Sequence, residues 1–532
     1  SAIVTPGVRS QVTVGFTTVG RILSGGMIKL VLSDGQLIDS DLGVSDVVFV
    51  GGTVVSAVTV TADRDAVSIR IGSAIGSGSS VTVNVGAKIR TPPSTTAIST
   101  VGVTTYSSDS GAASDRIDEG TLTTDAISVG SSGAGTFESA IDTPGVRSQV
   151  TVVFTTVGRI LSGGKIRLVM GSGGQTMDAE SPSLSFASPS GVTGSSVRVG
   201  ASELLITIGG GSIGAGEAVS FTVAGVRSAP FVQPAGTVAL KTYASSGSSA
   251  SDQIDEGSLV TDVLTAGSVS GTFSSAVDTP SVSSLVTVSF TATGRIRSGS
   301  HITLVLSGDQ EMDASPAVSL THVGGISVVG SQTSIDSASW SFGIKTLLLV
   351  TGGTAPIDDG DSVVLTIANV YSASKVGSGS SIDVTVYDAS GASTRVVDTG
   401  SFVTDPISKG TLSGGGTFSY GVATPGVEST VTVTFTSKGR IKAGGSISVV
   451  LQEDQEMTGS PVVTFISPAS DVTASNPTWA AGTKKLVFKT GGSGVIGDGS
   501  SVTFEIGGVR SPSSVTGSST ASVTIYHPDG TS

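Results

Sequence analysis

The chain has 532 residues, a net charge of −13, a charged fraction of only 13% and no cysteine. Disulfides and thiolate metal sites are therefore excluded, and no basic tract is present to displace counterions from phosphate, which argues against nucleic-acid partners. Hydrophobic residues make up 38%, enough for folded cores despite 74 glycines, while the longest apolar runs, such as Thr346-Leu347-Leu348-Leu349-Val350, are strand-sized and none spans a membrane.

The first predicted element follows Thr5-Pro6-Gly7-Val8: Val12, Val14 and Phe16 alternate with Gln11, Thr13 and Gly15. A Gly20-Arg21-Ile22 turn and the Gly25-Gly26 pair lead into a second strand carrying Ile28, Leu30 and Leu32. Further period-two runs are Val67-Ile69-Ile71, Val81-Val83-Val85 and Val101-Val103, closing on Tyr106. Short, β-branched, half-buried strands between Gly/Ser/Asp turns predict an antiparallel sandwich without helices, with Val14, Phe16, Leu30, Ile69 and Val83 in its core. Beyond Tyr106 comes a connector with Ile117-Asp118, Leu122, Thr124-Asp125, Ile127 and Phe137.

The whole pattern then repeats. Thr143-Pro144, Thr279-Pro280 and Thr424-Pro425 reopen it, Gly158-Arg159-Ile160, Gly294-Arg295-Ile296 and Gly439-Arg440-Ile441 repeat the turn, and Tyr243, Tyr387 and Tyr526 close it. From the Thr-Pro proline to the closing tyrosine the spacings are 100, 99, 107 and 101 residues, the size of one Ig-like sandwich. The expected fold class is all-β: four tandem Ig-like antiparallel β-sandwiches joined by ordered β-type connectors, at 1–137, 138–273, 274–418 and 419–532. Ser1-Ala2-Ile3 matches Ser139-Ala140-Ile141, so the sequence reads as a window of a longer, processed protein.

The connector holds its length (38, 37 and 38 residues from tyrosine to proline) while the third repeat gains residues inside its domain. A slack tether would tolerate insertions better than a folded unit, so the connector is predicted to be ordered, as strands that pair with the next sandwich or bridge two of them. Its aspartates recur as Asp118 and Asp125, Asp255 and Asp262, and Asp398 and Asp405; its phenylalanines are Phe137, Phe273 and Phe418. Burial of a phenylalanine is worth roughly 1.5–3 kcal/mol, and these residues are the expected inter-repeat contacts. The aspartates are also the one acidic set to weigh as calcium ligands. Two carboxylates per connector fall short of the six to eight oxygens calcium takes, so turn capping and salt bridging are the expected roles; the repeated arginine is weighed as their partner but assigned as a solvated turn residue.

No chemistry of another kind recurs. His301, His322 and His527 occupy unrelated positions, so no Ser-His-Asp set is repeated. The run Gly209–Gly216 lacks the lysine and following helix of a phosphate loop and is expected to be a sandwich turn. The sequence is read as non-enzymatic, with no catalytic, metal or cofactor site. Clusters such as Thr91-Pro92-Pro93-Ser94-Thr95-Thr96 and Ser511-Pro512-Ser513-Ser514 are candidate carriers of O-linked glycans.

The pattern Val-Thr-Val-x-Phe-Thr, Gly-Arg-Ile-x-x-Gly-Gly, Ile-x-Leu-x-Leu resembles the tandem Ig-like modules of giant extracellular surface and fibre proteins of bacteria and of algal or protist lineages. The resemblance implies extracellular display, in a wall, an adhesin stalk, scales or a mastigoneme, and carries no catalytic residue over. Two readings follow: a filament or surface shaft whose partners are adjoining repeats or copies of itself, or the stalk of an adhesin that binds a glycan or protein through a domain outside this segment.

Overall fold

Alternation of apolar and polar residues becomes alternation of buried and exposed ones. In the strand Arg147–Thr155, Val150, Val152 and Phe154 are buried while Arg147, Gln149, Val153 and Thr155 face solvent. The computed structural model describes residues 2–95, 99–171, 174–178, 180–244, 249–323, 333–452, 454–468, 471–515 and 520–528. Thr96, in the first Ser/Thr-Pro cluster, lies outside them. Among the described residues there is no α-helix, only short 3-10 turns such as Val44–Asp46. None of them forms a helix long and apolar enough to cross a membrane.

The chain is all-β and divides into two compact units, Ser1–Thr265 and Ala266–Ser532. Each unit holds two repeats, and each repeat has its own apolar core. Within the first, third and fourth repeats two mainly antiparallel sheets face each other, and in the second they join into one continuous sheet. In the first, Arg9–Thr17 pairs with Ser80–Arg90, and Met27–Leu32 lies between Ala66–Ile71 and Thr100–Tyr106. All four opening strands carry a bulge at the same place, at Ser10/Val12, Ser148/Val150, Ser284/Val286 and Ser429/Val431. The isoleucines of the Gly-Arg-Ile turns are core residues: Ile22, Ile160, Ile296 and Ile441 bridge to Ile75, Ile213, Ile357 and Ile496, and all are buried.

The connector is two things rather than one. Its first half is the last strand of the repeat behind it: Arg116–Thr123, Gln253–Thr261 and Val396–Val403 pair antiparallel with the strands ending in Tyr106, Tyr243 and Tyr387. Its second half is the first strand of the repeat ahead. Gly135–Ser139, Gly271–Ser275 and Ser413–Tyr420 pair with the opening strands Arg147–Thr155, Ser283–Thr291 and Glu428–Thr436. In the second repeat Gly135–Ser139 also lies parallel to Gln253–Thr261, so the first and last strands close the sandwich side by side.

The expected edges at 137/138, 273/274 and 418/419 are corrected by this pairing. They fall between Thr123 and Gly130, Thr261 and Gly267, and Val403 and Ser413. Of the expected first core, Val14, Leu30, Ile69 and Val83 are buried, whereas Phe16 is only partly so. Its equivalents Phe154, Phe290 and Phe435 are buried. A Cβ built on Gly135 would lie 3.0 Å from the Phe154 Cβ, which shows that the incoming strand covers that ring. In the first repeat no described strand stands in that place.

The repeat junction as candidate functional site

Each repeat presents the same corner. Proline sets the turn and the next residue takes a left-handed conformation: Gly7 at φ 67°, Gly145 at 69° and Gly426 at 72°, with Ser281 at 53° in the third repeat. A hydroxyl from the strand opposite staples the corner. Thr91 Oγ1 and the Oγ of Ser228, Ser372 and Ser511 accept the amides of Val8, Val146, Val282 and Val427 at 3.0–3.1 Å. The same hydroxyls donate to the carbonyls of Thr5, Thr143, Thr279 and Thr424. Sequence reasoning missed Ser228 and Ser372, and it weighed Thr91 and Ser511 only as members of glycan-carrying clusters, whereas both are buried with their hydroxyls engaged in the corner. Their signal was a serine or threonine recurring directly after Arg90, Arg227, Tyr371 and Arg510.

The other recurring motif is fixed by the connector aspartates. Asp118 accepts the amides of Val19 and Gly20, Asp255 those of Val157 and Gly158, and Asp398 those of Thr293 and Gly294, at 3.0–3.3 Å. Two strand pairs cover the inner two carboxylates: Gly130 faces Asp255 and Gly267 faces Asp398, and both aspartates are fully buried. Burial pushes both carboxyls up, Asp398 to about 6, against the opposing pull of the amides. No described strand covers Asp118 in this way, and it stays half-exposed.

The second set of aspartates acts elsewhere. Asp262 accepts the Ser139 amide at 2.6 Å and Asp405 that of Ser275 at 2.8 Å, tying the last strand of a repeat to its first. Asp125 is exposed on a crevice with Arg90 and Ile127. Asp255 and Asp262 stand at opposite ends of an extended strand, about 20 Å apart, so the two carboxylates weighed as calcium ligands are not brought together. Asp262 instead neighbours Asp142, and Asp405 neighbours Asp278; burial first, then the neighbouring charge, raises Asp142 and Asp278. No cluster of three or more His, Cys, Asp or Glu suited to a metal occurs among the described residues.

The phenylalanines are intra-repeat residues. Phe137 and Phe273 are buried in the cores of the second and third repeats and Phe418 packs on that of the fourth. Three of the four repeated arginines have partners other than the connector aspartates. Arg159 donates to Ser212, Arg295 pairs with Asp358, and Arg440 pairs with Glu311.

Within each unit the two recurring motifs meet. The Thr5-Pro6-Gly7 corner lies on the Val157-Gly158-Arg159 turn, and the Thr279-Pro280-Ser281 corner lies on Lys438-Gly439-Arg440. A Cβ built on Gly158 would lie 2.4 Å from the Pro6 carbonyl oxygen, and one on Gly439 would lie 2.0 Å from that of Pro280. Only glycine allows this approach. In the second unit the Arg440 amide donates to the Ser281 carbonyl at 2.9 Å. Glu311 of the third repeat takes Arg440 and Lys442 of the fourth, and the Arg440 guanidinium lies 4.1 Å over the Tyr371 ring. Burial alone would raise the Glu311 carboxyl; Lys442 and Arg440 outweigh it and hold the group below its ordinary range. In the first unit Thr95 Oγ1 donates to the carbonyls of Ala250 and Ser251. Amides, carbonyls, glycines and a half-buried carboxylate make a docking geometry.

No family model matches the chain, and neither does any curated protein. Among solved structures, the C-terminal domain of the Streptococcus pyogenes antigen I/II-family protein AspA is 11% identical, covering 52% of this chain and 100% of its own with a TM-score of 0.21. The collagen adhesin CNA of S. aureus is 11% identical over 52% of this chain and 92% of its own, TM-score 0.16. The Escherichia coli adhesin FdeC is 17% identical over 72% of this chain and 91% of its own, TM-score 0.16. At such scores these likenesses assign no ligand and no residue role to this chain.

Proposed function

We propose that this chain is a non-enzymatic structural segment of an extracellular shaft or filament, in which Ig-like repeats lock end to end. One observation carries the reading: the proline corner of one repeat seats on the glycine turn of the next, with the same parts, in each of the two units. A tether between independent domains has no use for a backbone approach that tolerates only glycine. Head-to-tail contacts of this type do not close on themselves and propagate along an array. A stalk that carries an adhesive domain elsewhere makes the same demand on this segment, a fixed spacing between repeats.

Limited proteolysis of the full chain tests the proposal. The segments from Thr123 to Gly130 and from Val403 to Ser413 should resist cleavage as long as the repeats do. Small-angle scattering should give an extended particle with a single cross-section. Early release of stable single repeats would mean beads on a string and would end the shaft reading.

A further inference from the structure

A crevice of about 250 Å³ runs along the first repeat between two strand edges. Among the described strands, Arg9–Thr17 pairs on one side only, with Ser80–Arg90, and Arg116–Thr123 on one side only, with Thr100–Tyr106. Such edges carry backbone donors and acceptors that a further strand can use. Val12, Val14, Leu32, Ile89, Val101 and Leu122 form the apolar part of the wall. Gln36 lines it too: its amide nitrogen donates to Ser99, while its buried carbonyl oxygen has no hydrogen-bond partner.

The second repeat shows what such a crevice is shaped for. There Gly135–Ser139 lies antiparallel to residues 150–153 and parallel to residues 259–261, with Asp262 on the Ser139 amide. The first-repeat counterparts of all these residues, 12–15, 122–124 and Asp125, line the crevice. The entering strands of the later repeats share one core, Gly135-Thr136-Phe137, Gly271-Thr272-Phe273 and Gly416-Thr417-Phe418. Its phenylalanine fills or packs on the core of the repeat it enters. Its glycine permits the approach: a Cβ on Gly135 would lie 2.3 Å from the Val153 carbonyl oxygen, and one on Gly271 would lie 2.4 Å from that of Ser289. In the fourth repeat Gln455, the counterpart of Gln36, donates to the hydroxyl of Tyr420 on the entering strand.

We infer that this crevice is the acceptor site for the Gly-Thr-Phe strand of a further repeat's connector, which completes the first repeat as Gly135–Ser139 completes the second. The register follows from the second repeat. The glycine of the strand lies over Phe16, its threonine opposite Gly15, and its phenylalanine against Val14 and beside Thr124. Phe16, partly buried where its counterparts Phe154, Phe290 and Phe435 are fully so, is then covered as they are. The inference rests on the shaft reading and names the contact through which a neighbouring repeat is joined.

The test uses the full chain and an acetylated, amidated peptide of residues 130–138, Gly-Ser-Ser-Gly-Ala-Gly-Thr-Phe-Glu. Titration calorimetry should give one peptide per chain, and hydrogen exchange should show new protection confined to residues 12–15 and 122–124. Phe137→Ala in the peptide should cost about tenfold or more in affinity. Gly135→Val in the peptide, whose side chain would meet strand backbone, should cost about as much. Placing both changes in the peptide leaves the fold of the chain untouched. Absence of binding, equal binding of either changed peptide or of a scrambled one, or protection in another repeat would each overturn the site. Cleaved connectors or a flexible scattering profile would end the shaft reading whatever the peptide does; resistant connectors without peptide binding would end only this inference.

Discussion

Asp398 shows how much one residue does at a turn. It is a fully buried carboxylate whose acceptors are spent on two backbone amides, and burial raises it from 3.8 to about 6. The unfolded chain releases this proton near 3.8, the folded chain near 6, so the folded state holds more protons in between. The group's stabilising contribution is therefore complete below about pH 4 and fades as pH rises through 6, a change of about 3 kcal/mol between those limits. The third repeat should melt higher at pH 5 than at pH 7. Asp398→Asn should flatten that dependence, because an amide does not titrate, and lower stability at pH 5 by about 1–2 kcal/mol through a weaker hold on the turn. Thermal melts across that range measure both, and an unchanged slope in the variant would show that Asp398 is not the titrating group. The recurrence of the aspartate was legible in the sequence. Its partners were not, because the amides it binds are about 100 residues away along the chain.

Among elements, the connector separates what periodicity reveals from what it cannot. Apolar residues at steady offsets announced buried strands, and strands are there. Which sandwich each strand joins is set by pairing partners, and a hydrophobic pattern records burial without recording against what. Phe137 was therefore legible as a residue buried against a sandwich, while its place in the second core was one of two readings the pattern left open. The glycine turn offers the sharper test. A methyl on Gly439 would meet the carbonyl oxygen and carbon of Pro280 and the carbonyl carbon of Ser281, all backbone of the preceding repeat. Gly439→Ala should therefore loosen the junction by about 1–3 kcal/mol while leaving the fourth core intact. The readout is new protease sensitivity between Val403 and Ser413 without a fall in the melting temperature of the fourth repeat. Gly20→Ala behaves differently, because its methyl would strike Ile117 of the same repeat. Loss of stability within the first repeat is the expected result there.

At the scale of the four repeats together, the first and the fourth each carry one half of the junction formed inside the units. Val19 is 82% exposed and Arg21 is exposed on the first turn, and Thr424, Pro425 and Gly426 are exposed on the last corner. In the second unit Arg440 meets Glu311; Arg21 holds the equivalent place in the first repeat. Glu456 holds that of Glu311, pairing with Arg510 as Glu311 pairs with Tyr371. Two copies should therefore associate head to tail as concentration rises. Arg21→Glu should weaken that association by about tenfold, and adding Glu456→Arg should restore it. Sedimentation velocity reads both, and a double variant no better than the single one would exclude this pairing.

By itself the sequence determined the all-β class, the number of repeats, the core alternation and the order of the connectors. These follow from local periodicity and from recurrence, which are properties of the chain read in one dimension. The tertiary structure alone decided the rest: that the connector divides between two sandwiches, that its aspartates hold the glycine turns, and that proline corners seat on those turns. Each of these is a contact between segments that are distant in the chain, and composition and spacing place no distance between such segments until the strands have paired.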